Sequence, residues 1–314
     1  MLSDVWASLR WCVFDAERGR PRVLVRLLLH AIAVLLGYAA SALFVWLAAG
    51  ASWARALGIG FQTAAVIGAT WAAARWLDRR DPRSLLGAFD RRAAFELVLG
   101  TLLGAGLIIA VAGAELVLGG ARYEPIAPTS GAVLRALAAC LFFVAVAIDE
   151  ELWFRAYQLT NLAESLSGWL GERASRAGAL ALTALSFGLA HALNPNAGLL
   201  STANIAFGGV LLGVSYAITS RLWIALGLHF AWNTAQCFLD MPVSGQTLYD
   251  GLWFERVETG EDVVTGGAFG PEGGWLGLGA MAAGTLLCAM HAALVSRRHD
   301  AHAPSAEPPE ASGP

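Results

Sequence analysis

The feature that most constrains this chain is a succession of apolar segments, each about as long as a bilayer is thick. They run approximately 27–49, 54–76, 94–117, 132–157, 177–193, 198–219, 221–240 and 274–296, and a membrane-spanning helix needs ~20 predominantly apolar residues. Composition agrees. Of 314 residues, 57% are hydrophobic and 14% charged, with a mean hydropathy of +0.57, where a soluble domain carries roughly a quarter charged residues. The 35 glycines and many alanines suit helices that approach closely in lipid. The expected fold is all-α, a polytopic membrane bundle of about eight transmembrane helices.

No second domain and no internal repeat is visible. Residues 1–26 read as a cytoplasmic N-terminal segment carrying Arg10, Arg18, Arg20, Arg22 and Arg26. The first apolar segment starts too late and runs too long for a cleaved signal, so it reads as a retained anchor. Residues 27–296 form the bundle. The Pro- and Ala-rich 297–314, "RRHDAHAPSAEPPEASGP", reads as a disordered cytoplasmic tail. Cys12, Cys140, Cys237 and Cys288 are far apart and form no CxxC pair, against a disulfide framework or a structural zinc site. All 21 basic residues are arginine, and a net charge of −3 implies no nucleic-acid partner.

Arginine placement orients the bundle. Arg75, Arg79, Arg80, Arg83, Arg91 and Arg92 crowd the connector after the second segment, and Arg297 and Arg298 follow the last. The connector before the last segment is acidic: Asp240, Asp250, Glu255, Glu258, Glu261, Asp262 and Glu272, against Arg256 alone. The positive-inside rule then puts both termini in the cytoplasm of a multi-pass plasma-membrane protein. The acidic loop faces outward, where the plainest reading is a solvated connector.

Few ionisable residues lie inside the apolar segments: Glu150, Glu151, Arg155, His191 and His229. At membrane depth such residues are functional candidates by default. His30, Glu96, Glu115, Arg135 and His291 sit near segment ends, where long side chains can reach the headgroups. The first five have helical spacing. Glu151 and Arg155 are i,i+4 and can pair, with the acid on the favoured N-terminal side. Glu150, about 100° away around an α-helix, points elsewhere. Phe187 and His191 are i,i+4 on the fifth segment; His229 and Asn233 are i,i+4 on the seventh. The fourth, fifth and seventh segments thus offer a carboxylate, two imidazoles and a carboxamide to one interior cavity. A carboxylate in low dielectric is a better general base near neutral pH. Imidazole and carboxamide N–H groups can hold an oxyanion. Asp149 adds a third acid whose like charge would act on Glu150.

"EELWFR", "FGLAH" and "HFAWN" match EExxxR, FxxxH and HxxxN. In this order and at these separations they resemble the CPBP family, the CAAX-prenyl-protease-2-like and bacteriocin-processing intramembrane proteases also called Abi. "FGGVLLGVSYAITSRLW", 207–223, resembles the family's segment before its last motif. The resemblance covers about 130–240. It implies an endopeptidase cleaving a membrane protein or peptide in the lipid bilayer. Glu150 would activate water and His191 position it, while His229 and Asn233 stabilise the oxyanion. Glu151 and Arg155 would be the supporting ion pair, with Phe187 beside His191.

The family is commonly labelled metalloprotease. Glu150, His191 and His229 satisfy the ligand count of a catalytic zinc. The spacing is unlike HExxH, Asn233 is a poor zinc ligand, and a metal-free glutamate mechanism uses the same residues; no cofactor is therefore assigned. No HExxH, GxGD or GxSG motif marks another protease class. Two non-protease readings remain. One is a scaffold or immunity protein of the same family, which would tolerate motif decay. The other is a proton-coupled transporter, which calls for inverted repeats that are absent here.

Overall fold

Proline would break these spans, and none falls inside any of the eight helices formed by the apolar segments. The computed structural model describes residues 13–48, 51, 53–127, 129–248 and 251–301, with side chains to residue 294. Arg10, Cys12, Asp250 and the tail from 302 lie outside the described residues. In order, α1 is Val23–Leu47, α2 Ala54–Ala72, α3 Arg91–Leu118, α4 Ala132–Glu150, α5 Thr160–Leu170, α6 Glu172–Ala190, α7 Leu199–Thr219 and α8 Trp223–Phe238. Then come the short α9, Asp262–Thr265, and the last helix α10, Trp275–Ala301. The π-helical turn Glu151–Leu159 joins α4 to α5 as one rod, and a second such turn, Ala73–Leu77, ends α2. The protein is a polytopic all-α membrane bundle. Among the described residues six helices are long and apolar enough to cross a membrane. The remaining two, α6 and α8, stand where the fifth and seventh spans were expected. They carry the polar motifs; α6 also begins with Glu172, Arg173 and Arg176, and α8 has only 16 residues.

The connectors gather at two ends. At one end β1 (Phe14–Asp15) pairs with β2 (Arg20–Pro21). There Arg18, Arg20 and Arg80 all reach Glu164. Arg221 joins Asp90 at 2.6 Å and Glu96 at 2.8 Å. Asp90 also caps α3 through the Ala93 N–H. The Arg221 hydrogen bond, helped by that of Ala93, holds the Asp90 carboxyl down to about 2. At the opposite end β3 (Ala121–Pro125) pairs antiparallel with β4 (Phe254–Glu258).

Several groups expected to reach the headgroups instead cross-link helices. His30 is 1% exposed, contacts Thr70 Oγ1 at 3.0 Å and stacks on Tyr157. Glu115 is fully buried, holding Arg256 at 2.8 Å and accepting from the Tyr123 hydroxyl. Glu96 is bound by Arg92 and Arg221. The physical reason is that a residue elsewhere in the fold supplies a partner nearer than the headgroups do.

The tightest crossing, α3 on α8, is made by glycine. A Cβ at Gly104 would collide with the Leu228 carbonyl, and one at Gly100 with the Ile224 carbonyl. Backbones this close make the van der Waals contact that holds helices together in lipid. It also fixes the depth of the helix bearing His229. Gly104→Leu should therefore lower the detergent melting midpoint by the equivalent of about 1–3 kcal/mol. Gly106→Leu, where an added Cβ meets nothing within 4 Å, should leave it nearly unchanged. Equal midpoints for the two variants would contradict this account of the crossing.

Candidate active site

Where α4 gives way to the π-helical turn, three consecutive acids diverge. Asp149 turns to α2, where its Oδ2 accepts from Gln62 Nε2 at 2.9 Å. It is 1% exposed and does not line the cavity. Beside the like charge expected to act on Glu150, Asp149 thus makes a cross-helix bond that the sequence did not show. Glu151, fully buried, accepts from Arg155 Nη1 at 2.9 Å, so the i,i+4 pairing survives the wider π-helical geometry. The same Oε1 contacts His229 Nδ1 at 2.8 Å. Glu151 is thus shared between its own helix and α8, a link that helical spacing alone does not show.

Glu150 faces a cavity of about 560 Å³ that it lines with His191, His229, Asn233 and Phe187. His229 Nε2 lies 3.7 Å from Glu150 Oε2, and His191 Nε2 lies 3.9 Å from Oε1. Both exceed hydrogen-bond length and fit groups sharing one small molecule between them. Glu150 Oε2 is buried and accepts no hydrogen bond. The rings are set from behind. His191 sits at the C-terminal cap of α6, its Nδ1 bonded to the Phe187 carbonyl at 2.8 Å. His229 is held through Nδ1 by Glu151, which leaves each Nε2 facing Glu150.

Phe187 joins these parts. It is 4% exposed, facing neither lipid nor solvent. The Arg155 guanidinium lies 4.3 Å from its ring centre, a cation–π contact. The rings of His191 and His229 lie 4.8 and 6.3 Å from it. Arg155, fully buried, completes its contacts through Nη2 to the Gly209 carbonyl at 3.5 Å.

The sequence reading passed over the far end of the cavity. Glu272, assigned there to a solvated loop, is 4% exposed and lines the cavity. Its Oε1 accepts from Trp232 Nε1 at 2.9 Å, and its Oε2 from the Ser244 N–H and hydroxyl at 2.8 Å. Asn194, also in the lining, donates to the Ser244 carbonyl. The available signal was "GGAFGPEGGW", an acid among glycines. Such density marks close backbone approach; Gly270, at φ 91°, leaves no room for a Cβ beside the Pro242 carbonyl. Asp240, in the same connector, accepts from the Gly251 and Arg256 N–H groups.

Among the described residues no group of three or more His, Cys, Asp or Glu is gathered as a metal-holding set. Glu150, His191 and His229 line one cavity and are the residues that would hold a catalytic zinc, with water in its open position.

Residues 132–235 match the family model described as type II CAAX prenyl endopeptidase Rce1-like. The matched segment is about a third of the chain and runs from the start of α4 to near the end of α8, including Glu150, Glu151, Arg155, Phe187, His191, His229 and Asn233. No curated protein and no solved structure matches the chain.

The geometry separates support from chemistry. Arg155→Ala removes the arginine from a buried carboxylate that then has only His229 and should cost about 3–5 kcal/mol, read as lost expression and a lower melting midpoint. Glu150→Gln, nearly isosteric at a group with a free oxygen, should fold like the parent. Equal destabilisation by both substitutions would contradict the division.

Proposed function

We propose that the chain, which carries a CPBP/CAAX-protease-family segment at 132–235, is an intramembrane endopeptidase that hydrolyses a peptide bond of a membrane-associated protein or peptide. The chain is an integral membrane protein, and the family is one of peptidases, so hydrolysis in a lipid setting is the expected chemistry at that level. The observation that carries the finer reading is Glu150, facing the Nε2 atoms of His191 and His229 across 3.9 and 3.7 Å in one cavity.

The reaction follows from the placement. Water bound between Glu150 and His191 gives a proton to Glu150 as its oxygen attacks the scissile carbonyl carbon. The carbonyl π electrons move to oxygen. His229, doubly protonated, donates through Nδ1 to Glu151 and through Nε2 to the oxyanion, and the Asn233 amide is the second donor. Glu150 then delivers its proton to the amide nitrogen, the C–N bond breaks, and acid and amine leave. No step is assigned to a metal. Metal analysis of the purified protein, with activity before and after chelation, tests that choice; activity lost on chelation and restored by zinc would reverse it.

Asn233→Ala should slow turnover by about 10²–10³-fold with KM changed far less, because this donor acts mainly on the transition state. Full turnover in Asn233→Ala would remove the proposed oxyanion site. Glu150→Gln separates proteolysis from a scaffold role: membranes holding this variant should accumulate uncut precursors, whereas scaffolding would survive the change.

Orientation completes the proposal. The arginine-rich end, bearing residues 13–22 and 78–90, is assigned to the cytoplasm by the positive-inside rule. Both termini then lie there, in the plasma membrane. Reporter fusions after residue 265 should read external; a cytoplasmic reading would invert the assignment.

A further inference from the structure

At the arginine-rich end, well away from the proposed peptidase cavity, α2 finishes in an unusual way. Its last turn, Ala73–Leu77, is π-helical, and Arg79 just beyond has φ 58°, a left-handed conformation costly for a residue with a side chain. Together the turn and this residue bend the chain so that its basic groups converge. Trp71, Arg75, Arg79, Arg80, Asp81, Pro82 and Arg83 enclose a pocket of about 470 Å³.

The charges in this pocket are unevenly committed. Arg80 is used by Asp78 and Glu164. Asp81, the one carboxylate of the lining, accepts from the Arg83 N–H as the cap of the short helix Pro82–Leu85. The side chains of Arg75, Arg79 and Arg83 are exposed, and none forms an ion pair or hydrogen bond with another described residue. The Arg79 guanidinium lies against Gly19 in the turn between β1 and β2. Three uncommitted guanidinium groups around one concavity match the geometry of a phosphate, which they can bind in a bidentate way.

The surroundings say where that phosphate comes from. Trp71 and Trp76 are 49% and 73% exposed, the placement of an interfacial aromatic belt. Below the pocket, Phe61, Gly68 and Trp71 are exposed on the apolar run of α2, and a Cβ at Gly68 would meet nothing within 4 Å. Arg75 and Trp71 are i,i+4, and Gly68 is two turns from Arg75 on the same side. Below the arginines this face of α2 is thus exposed and apolar, with open space at Gly68. A headgroup phosphate at Arg75, Arg79 and Arg83, with its acyl chain along Gly68 and Trp71, uses both halves.

We propose that this pocket binds the phosphate headgroup of an anionic phospholipid. Basic pockets at helix ends recognise such headgroups through the arginine charge and the negative leaflet surface. The site neither depends on the peptidase reading nor shares a residue with it, so one can fail without the other.

The test is thermal unfolding of the full chain in neutral detergent. It is titrated separately with phosphatidylglycerol, with phosphatidylcholine of the same acyl chains, and with inorganic phosphate. Phosphatidylglycerol should raise the midpoint saturably and phosphatidylcholine should not. Each arginine near a charged surface contributes about fivefold in affinity, so R75Q/R79Q/R83Q should weaken the response on the order of a hundredfold. R75K/R79K/R83K, which keeps the charge but loses the bidentate fork, should fall between the parent and the glutamine variant. If the glutamine triple variant does not fold, R75Q and R83Q alone should each lose about fivefold. A triple variant that responds like the parent, or single variants without loss, would overturn the site. A full midpoint shift from phosphate alone would overturn the lipid as its occupant.

Discussion

The carboxylate of Glu151 is the interaction on which the site depends. It is fully buried, and one oxygen serves both Arg155 and His229. A charge at that depth must be paired, because the loss of its partner leaves it in low dielectric without compensation. The need to satisfy it draws Arg155 inward, where the guanidinium finds the Phe187 face and the Gly209 carbonyl. The same need ties α8 to the π-helical turn. Glu151 Oε2 and Arg155 Nε nonetheless remain without hydrogen bonds. A pair optimised for stability would not leave them so; what this one secures is position, namely which nitrogen of His229 faces the cavity.

The remainder of the bundle holds that position from outside. The glycine crossing of α3 on α8 sets the depth of His229, and the Glu115–Arg256 pair ties α3 to β4. Glu272 then closes the far end by fastening Ser244 to Trp232, the residue before Asn233 on α8. The acidic connector accordingly uses Asp240 and Glu272 as backbone and side-chain acceptors. Their cost in the low-dielectric setting is met by donors from two or three directions, the condition under which a buried carboxylate is stable.

Much of this was legible in the sequence. The eight apolar segments become eight helices with ends shifted by a few residues, because length and apolarity are local properties of the chain. The convergence of Glu150, His191 and His229 was legible for a related reason: polar residues at i,i+4 on apolar helices have few places to go but inward. What was not legible depends on register between helices. Nothing in the spacing says that Glu151 reaches across to His229, or that Asp149 turns to Gln62. His30, Glu96 and Glu115 illustrate the same limit. Nearness to a segment end predicts contact with water only if no other part of the fold supplies a partner first, and here Thr70, Arg221 and Arg256 do.

Three adjacent acids in an apolar run would be prohibitive if they met one environment. The bundle gives each a different one. Asp149 is spent on α2 and Glu151 on α8 and Arg155, both in contacts within hydrogen-bond distance. Each acid keeps one buried oxygen without a donor, but among the described residues none donates to either oxygen of Glu150, and it is the member of the triplet that lines the cavity beside two imidazole Nε2 atoms. A carboxylate that already holds donors is a poorer base, because those donors stabilise its charged form. The two neighbours of Glu150 are set aside because each has one oxygen engaged and neither lines the cavity. Distribution of the triplet across three helices thus makes the charge tolerable, and by the same arrangement leaves one member chemically free.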